Sequence, residues 1–258
     1  MDNDLNPNRH IYNTKYSDSH LSLNKEGMLS YDKEMINMRL EILQRYSFGR
    51  TVLDLCCGTG SYLLHYLEKY PLAVGVDFSR NMLTILKKKL GGEVPTNLLL
   101  LECDAQQIGL QSESMDFVFS FTSLYYVPRV GEALAEINRV LKPGGVAAFE
   151  LGNLWSLNTY VCEIENRKRG VAKSFHVPYR AILKMIQAAN LTILEHRVFQ
   201  ILPMWGRGVL WLRPLIDWRW KWLMGIKVAG RMIDEWVSGL WPLRLLAFRH
   251  LFVCQKTA

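Results

Sequence analysis

Apolar positions along the chain fall into short continuous runs separated by longer stretches of helical spacing. The runs Thr51–Leu55, Leu72–Asp77, Asn97–Glu102, Asp116–Phe121 and Val146–Leu151 are short and apolar on both alternations, as expected of strands buried on both faces. Between them lie helical patterns: Tyr31 to Tyr46 (apolar at 31, 35, 38, 42, 43 and 46), Tyr62 with Leu63, Tyr66 and Leu67, then Met82 with Leu83, Ile85 and Leu86, and finally Val130 to Leu141. Ser79 is placed to cap the helix through Met82, and Gly91-Gly92 to end it. Lys142-Pro143-Gly144-Gly145 stops the Val130 helix. Further on, Pro178–Ala189 reads as a helix, Leu191–Leu202 as a sixth strand and Phe248–Gln255 as a last one. Strands alternating with helices predict an α/β fold, a doubly wound sheet covered on both faces. Ligands of such sheets sit at the carboxyl ends of the strands, where Asp54, Asp77, Asp104, Ser120 and Glu150 all fall.

Two stretches depart from the alternation. Residues 152–177 form a long connection carrying Trp155, Tyr160, Arg167-Lys168-Arg169-Gly170 and Phe175-His176. Connections of that length are usually functional or disordered, and this one is placed over the strand ends, where it suits ligand binding. The second stretch is an insertion, Pro203 to Ala247. Val209, Leu212, Ile216, Trp220 and Leu223 share one helical face, with Trp211, Leu215, Trp218 and Trp222 adjoining and Arg213, Asp217 and Lys221 forming a polar stripe. A second helix puts Ile226, Ala229, Ile233, Trp236 and Leu240 on one side, with Lys227, Arg231, Asp234 and Glu235 elsewhere. Neither reaches the ~18 apolar residues that a membrane-spanning helix requires.

Composition narrows the class. The 258 residues, 49% apolar, suit one α/β domain, the alternative being two small ones; the single domain divides into 1–50, 51–151 and 152–258, which the resemblance described below makes a lid and helix, a cofactor-binding half and an acceptor-side half. Met1 to His10 are polar and give no signal-peptide h-region. Five cysteines, scattered apart from Cys56-Cys57, give neither a disulfide framework nor metal-ligand spacing, so a reduced cytoplasmic protein without a metal is expected. The net charge of +7 is uneven: from Trp205 onward nine Lys/Arg face three Asp/Glu, and the same stretch holds seven of the eight tryptophans. Its aromatics repeat with helical spacing rather than as stacking platforms, which disfavours nucleic acid. Three readings of the insertion stay open: peripheral membrane attachment or a lipid-like acceptor, a homodimer or partner surface, and a plain extension of the core.

The chemistry gathers at Thr51-Val52-Leu53-Asp54-Leu55-Cys56-Cys57-Gly58-Thr59-Gly60: a strand, a glycine turn, and a helical pattern opening behind it. Gly58 and Gly60 permit conformations closed to other residues and let a ligand approach the main chain. Asp77 ends the second strand nineteen residues after Gly58, near the ~20-residue spacing at which an acid accepts from ribose hydroxyls. The third glycine of a dinucleotide fingerprint is missing, because position 63 is Leu. What remains is an adenosine-bearing ligand without a pyrophosphate.

These residues, with Val74-Gly75-Val76-Asp77-Phe78-Ser79, Cys103-Asp104-Ala105, Met115-Asp116-Phe117-Val118 and Leu141-Lys142-Pro143-Gly144-Gly145, resemble the class I S-adenosylmethionine-dependent methyltransferases in order and spacing over roughly residues 50–150. Cys56 is a departure, since the family usually has glycine there. The resemblance implies a Rossmann-like seven-stranded sheet whose last strand runs antiparallel between the fifth and sixth. It implies S-adenosyl-L-methionine as cofactor, with Asp54, Cys56, Gly58, Thr59 and Gly60 at its amino-acid end and Asp77 on the ribose. Phe78 and Met82 would lie beside it, Asp104 and Ala105 would read the adenine, and the Ser120 carbonyl would meet the ammonium. Tyr12 or Tyr16 would close over it as a lid, the alternative being an ordinary surface turn. Candidate catalytic residues are Tyr125, beside Tyr126, and His176 or Glu150 as a base if the acceptor is an alcohol; each has a purely structural alternative. The expected activity is methyl transfer, on oxygen, to a small-molecule, lipid or lipid-linked saccharide acceptor. Rival readings are a non-catalytic fold-mate serving as an interaction protein, and a methyltransferase acting on nucleic acid or protein; no Asn-Pro-Pro-Tyr-like motif supports a nucleic-acid acceptor.

Overall fold

A computed structural model describes residues 6–15, 28–169, 172–203 and 210–257. Within them the strands are β1 (Thr51–Leu55), β2 (Leu72–Asp77), β3 (Leu98–Glu102), β4 (Met115–Ser120), β5 (Leu141–Gly152), β6 (Leu191–Phe199), the two-residue strands β7 (Lys227–Val228) and β8 (Arg231–Met232), and β9 (Arg249–Lys256). The helices are α1 (Arg9–Thr14), α2 (Ser30–Tyr46), α3 (Arg80–Lys89), α4 (Val130–Val140), α5 (Leu157–Arg169), α6 (Tyr179–Ala188), α7 (Trp218–Met224) and α8 (Ile233–Gly239).

Seven strands form one sheet in the order β3-β2-β1-β4-β5-β9-β6. All neighbours are parallel except β9, which runs antiparallel to both β5 and β6. This is the Rossmann-like topology implied by the sequence. Side chains alternate across the sheet. Leu53, Val74, Val118, Ala147 and Phe149 face α4 and α6, where Ile137, Val140, Ile182 and Ile186 complete one core. Val52, Ala73, Phe117, Phe119 and Ala148 face the other way, onto Tyr31, Met35, Met38 and Ile42 of α2. The register sets Leu55 beside Val76 and Asp77 beside Glu102, so the strand ends that bear acids open on one edge.

Three expectations are corrected. The helical pattern after Gly60 forms only a 3-10 turn, Leu64–Lys69, interrupted at Tyr66 (φ −127°, ψ 21°). Tyr62, His65 and Tyr66 are modest helix formers, and the Tyr66 ring is drawn edge-on to Phe48 at 5.0 Å. No long helix therefore aims its N-terminus at the glycine turn. The 152–177 connection is not irregular, because α5 forms inside it. Ser156 marks its start, its Oγ accepting from the Thr159 N–H at 3.0 Å.

Within its described residues, 203 and 210–247, the insertion breaks into short pieces rather than two long amphipathic helices; Trp205 and Val209 lie outside the described residues. A 3-10 turn over Leu210–Ile216 contains Pro214, and Asp217 starts α7 afresh by accepting from the Arg219 N–H at 2.9 Å. Ala229 and Gly230, both at positive φ (50° and 78°), turn β7 into β8. In α8 the expected faces are exchanged: Asp234 and Glu235 are buried, while Trp236 and Leu240 are exposed. Asp234 accepts from the Tyr31 hydroxyl at 2.5 Å and from the Gln200 N–H at 2.5 Å. Glu235 takes both Nε (2.6 Å) and Nη2 (2.8 Å) of Arg197. Among the described residues part of the basic surplus is paired, with Lys221 near Asp32 at 3.4 Å and Lys227 near Glu34 at 2.7 Å.

Candidate cofactor and acceptor site

The carboxyl ends of β1, β2 and β4 surround a cavity of about 560 Å³, within the 300–1,000 Å³ usual for small-molecule sites. Its floor is the turn after β1. Cys56 (φ 60°) and Gly58 (φ 55°) both adopt left-handed backbone there, and the Cys57 N–H is tied to the Val76 carbonyl at 2.9 Å. Asp77 fixes the turn from the side. One carboxylate oxygen accepts from the Gly58 N–H and the other from the Ser79 N–H, each at 2.9 Å. Burial nevertheless pushes Asp77 up to about 6, against those two hydrogen bonds. Asp54, also buried, is raised by burial and then by the neighbouring charge of Asp77. Asp104 orients Gln106, accepting from its N–H at 2.9 Å and its side-chain amide at 3.1 Å.

Over this floor lies α1. The Tyr12 ring packs edge-on against Phe78 at 5.4 Å and Tyr126 at 6.0 Å. Arg9 Nε donates to the Phe78 carbonyl at 3.1 Å, and Asn8 donates to the Lys173 carbonyl at 2.8 Å. The segment thus crosses from the β2 side to the connection after α5. Of the two lid candidates, Tyr12 lines the cavity; Tyr16 lies outside the described residues.

Among the predicted cofactor residues, Asp54, Cys56, Gly58, Thr59, Asp77, Phe78, Asp104 and Ala105 line the cavity together. Gly60, Met82 and Ser120 are buried and stand outside the lining. Gly60 is needed for packing, since at φ 75° a Cβ would meet Leu86 at 2.8 Å. Met82 is core behind the Ser79 cap, and the Ser120 hydroxyl is buried without a protein partner.

The catalytic candidates separate in the same way. Tyr125 lines the cavity. His176 stands one ring behind it, stacked at 5.4 Å, with burial lowering its pKa to about 4. Glu150 is wholly buried, and its two oxygens accept from Arg39 and Arg249. A carboxylate so engaged is read as a structural anion rather than as a base. Lining residues not singled out by the sequence include Asn6, Ser61, Phe121, Thr122 and Val127. Thr122 carries a retrospective signal, a turn directly after a strand, and its φ is 60°.

This sheet, with buried acids at the ends of β1 and β2 and a half-buried third after β3, is the arrangement that the resemblance to class I S-adenosylmethionine-dependent methyltransferases implied. Residues 53–149 match the family described as "Methyltransferase domain". The demethylmenaquinone methyltransferase of Lactococcus lactis is 40% identical over 100 residues, which are 38% of this chain and 40% of that protein. The enzyme of the same name from Oceanobacillus iheyensis is 32% identical over 141 residues, 53% of this chain and 58% of that one. The chain therefore spans roughly half the length of the curated relatives it matches. A solved S-adenosylmethionine-dependent methyltransferase from Mesorhizobium loti shares the fold at a TM-score of 0.59 and 16% identity, covering 85% of this chain and 96% of that one.

Proposed function

We propose that the protein transfers a methyl group from S-adenosylmethionine to a small, largely apolar acceptor, of which the quinone named for its relatives is one kind. The observation that carries this reading is the charge of the cavity. Its described lining holds the carboxylates of Asp54, Asp77 and Asp104 and no lysine or arginine, with aromatic faces from Tyr12, Phe78 and Phe121. Asp54 and Asp77, both raised by burial, favour a cationic ligand, and aromatic faces attract one. A ligand carrying both an ammonium and a sulfonium fits that donor set.

When bound, the cofactor supplies a methyl group activated on a positively charged sulfur. The chain's own residues bind and orient. Asp77 would accept from the ribose hydroxyls, using lone pairs left free by the Gly58 and Ser79 N–H groups. Asp54 would face positive charge, and Asp104 and Ala105 would take the adenine. Tyr12, carried on α1, would cover the site and exclude water, while Tyr125 would face the acceptor. Holding the two reactants in attacking geometry can supply about 7–11 kcal/mol of the barrier without a proton carrier.

Peripheral membrane attachment belongs to the same proposal. Trp218 and Trp222, four residues apart on α7, are 64% and 58% exposed, and Trp241 is 71% exposed. Tryptophan favours the bilayer interface. Because Arg219, Lys221 and Lys227 of the segment are ion-paired, aromatic insertion more than charge would carry the attachment.

Calorimetry with S-adenosylmethionine, followed by labelled methyl transfer into a lipid extract read by mass spectrometry, tests the activity; absence of cofactor binding would sink it. Sedimentation with anionic liposomes tests the attachment, expected to survive high salt. Protein that stays in the supernatant, with a dimer's mass in light scattering, would make the surface a homodimer contact instead.

A further inference from the structure

The wall of the cavity at its Tyr62 and Tyr125 end is backed by a buried cation cluster. Glu150 lies between two guanidinium groups, those of Arg39 and Arg249, whose side chains are only 5% and 9% exposed. Arg39 reaches Glu150 through Nε and, at 3.1 Å, through Nη2, while Arg249 Nη1 donates at 3.2 Å. The remaining arm of Arg39 turns toward the cavity and donates to the Tyr62 hydroxyl at 3.2 Å. The Arg249 guanidinium lies over the Tyr125 ring at 4.7 Å, with its Nε donating to Gln200 Oε1 at 3.1 Å. Two cations and one anion leave this cluster with a surplus positive charge.

The other buried acids nearby are committed elsewhere. Asp234 accepts from Tyr31, Ser238 and the N–H groups of Gln200 and Ile201. Glu235 is closed on Arg197 and the Met232 N–H. An uncompensated buried charge is costly, and an anion in the cavity would relieve it. Tyr62 and Tyr125 are the two side chains between cluster and cavity. The Tyr62 hydroxyl, already accepting from Arg39, keeps its own proton to donate, and a donor polarised in this way is strengthened. Phe121, edge-on to Tyr62 at 5.3 Å, adds a flat apolar wall.

We propose that Tyr62 and Tyr125, positioned by Arg39 and Arg249, form an anion clamp in the acceptor half of the cavity, and that the acceptor presents a planar oxyanion of the phenolate type to it. This rests on the methyltransferase reading above. It requires no free base beside the acceptor. Glu150 is occupied and His176 stands behind Tyr125, yet an acceptor held as its anion needs no proton removed when it attacks.

The test uses the full-length protein saturated with S-adenosylhomocysteine and 4-nitrophenol as probe, whose anion is read by absorbance. The bound probe is expected to titrate about one pH unit lower than the free probe, which is about tenfold tighter binding of the anion than of the neutral phenol. Tyr62→Phe and Tyr125→Phe, which preserve ring packing, should each reduce that preference at least threefold. S-adenosylhomocysteine affinity, measured in each, separates loss of the clamp from collapse of the pocket. Failure of the wild type to bind S-adenosylhomocysteine would overturn the methyltransferase reading and the clamp with it. Normal S-adenosylhomocysteine binding with no bound probe, with equal affinity for phenol and phenolate, or with an unaltered preference in both variants would overturn the clamp alone.

Discussion

Replacing Glu150 by glutamine separates a structural anion from a catalytic base. The substitution keeps shape and volume and removes one negative charge from a site with no solvent exposure. Glutamine offers one acceptor oxygen where Arg39 and Arg249 use two, and turns an amide N–H₂ toward a guanidinium. Two like charges then face each other in a buried pocket. Breaking a buried pair in this way costs about 3–5 kcal/mol. For a domain of this size that lowers the melting temperature by roughly 6–20 °C, at ~2–4 °C per kcal/mol. Urea unfolding at neutral pH followed by circular dichroism measures it. Pairing Glu150→Gln with Arg39→Met should recover part of the loss, because the second change removes one stranded cation. A stability change under about 1 kcal/mol, accompanied by loss of turnover, would refute the argument and return Glu150 to the role of base.

Asp77→Ala should weaken S-adenosylmethionine binding by about 1.5–3 kcal/mol in calorimetry, the range for hydrogen bonds to a charged group. The free protein holds Asp77 at about 6, so below that pH the carboxyl is protonated and must ionise before a cationic ligand binds. Affinity should rise as pH climbs from 5 through about 6 and level off above it; a flat profile would contradict the assignment. The same raised value means that Asp77 costs stability above pH 6, where both folded and unfolded states are ionised, and costs none below the ordinary carboxylate value. Cys56→Val should destabilise by about 1–2 kcal/mol, since a β-branched residue is forced into left-handed backbone; chemical denaturation reads it, and an unchanged midpoint would deny the strain. Deleting residues 1–15 should leave a folded protein that releases S-adenosylhomocysteine faster in stopped flow. An unchanged release rate would make α1 a decoration.

Much of the fold was legible because its strands are buried on both faces and so read as continuous apolar runs. Asp54, Asp77 and Asp104 were legible as cavity residues because each lies close to its own turn. Glu150 carried the same strand-end signal and meant something else. Its partners, Arg39 and Arg249, lie 111 and 99 residues away, and nothing local distinguishes a ligand-facing carboxylate from an ion-paired one. The same limit exchanged the faces of α8. A helical wheel puts Asp234 and Glu235 in water unless Tyr31, Arg197 and Gln200 are known to wait on the other side. Tyr62 was read as one more apolar residue on a helix that the aromatic run did not sustain. α5 had a cap signal in Ser156 that its weak apolar pattern obscured.

The buried acids of α8 decide where this chain can be cut and rejoined. Residues 203–247 have the outline of a cassette, entering after β6 and leaving before β9. The seams lie elsewhere. Asp234 closes on Tyr31, 203 positions upstream, and Glu235 closes on Arg197 in β6. The tight turn at Gly225 lies so close to the Tyr31 backbone that a Cβ there would come within 2.9 Å. A recombinant that exchanges only the insertion with a relative would strand a tyrosine hydroxyl and a guanidinium in the host and two carboxylates in the graft. Exchanging the insertion with a relative's therefore means moving α2, the end of β6 and the insertion as one inherited block.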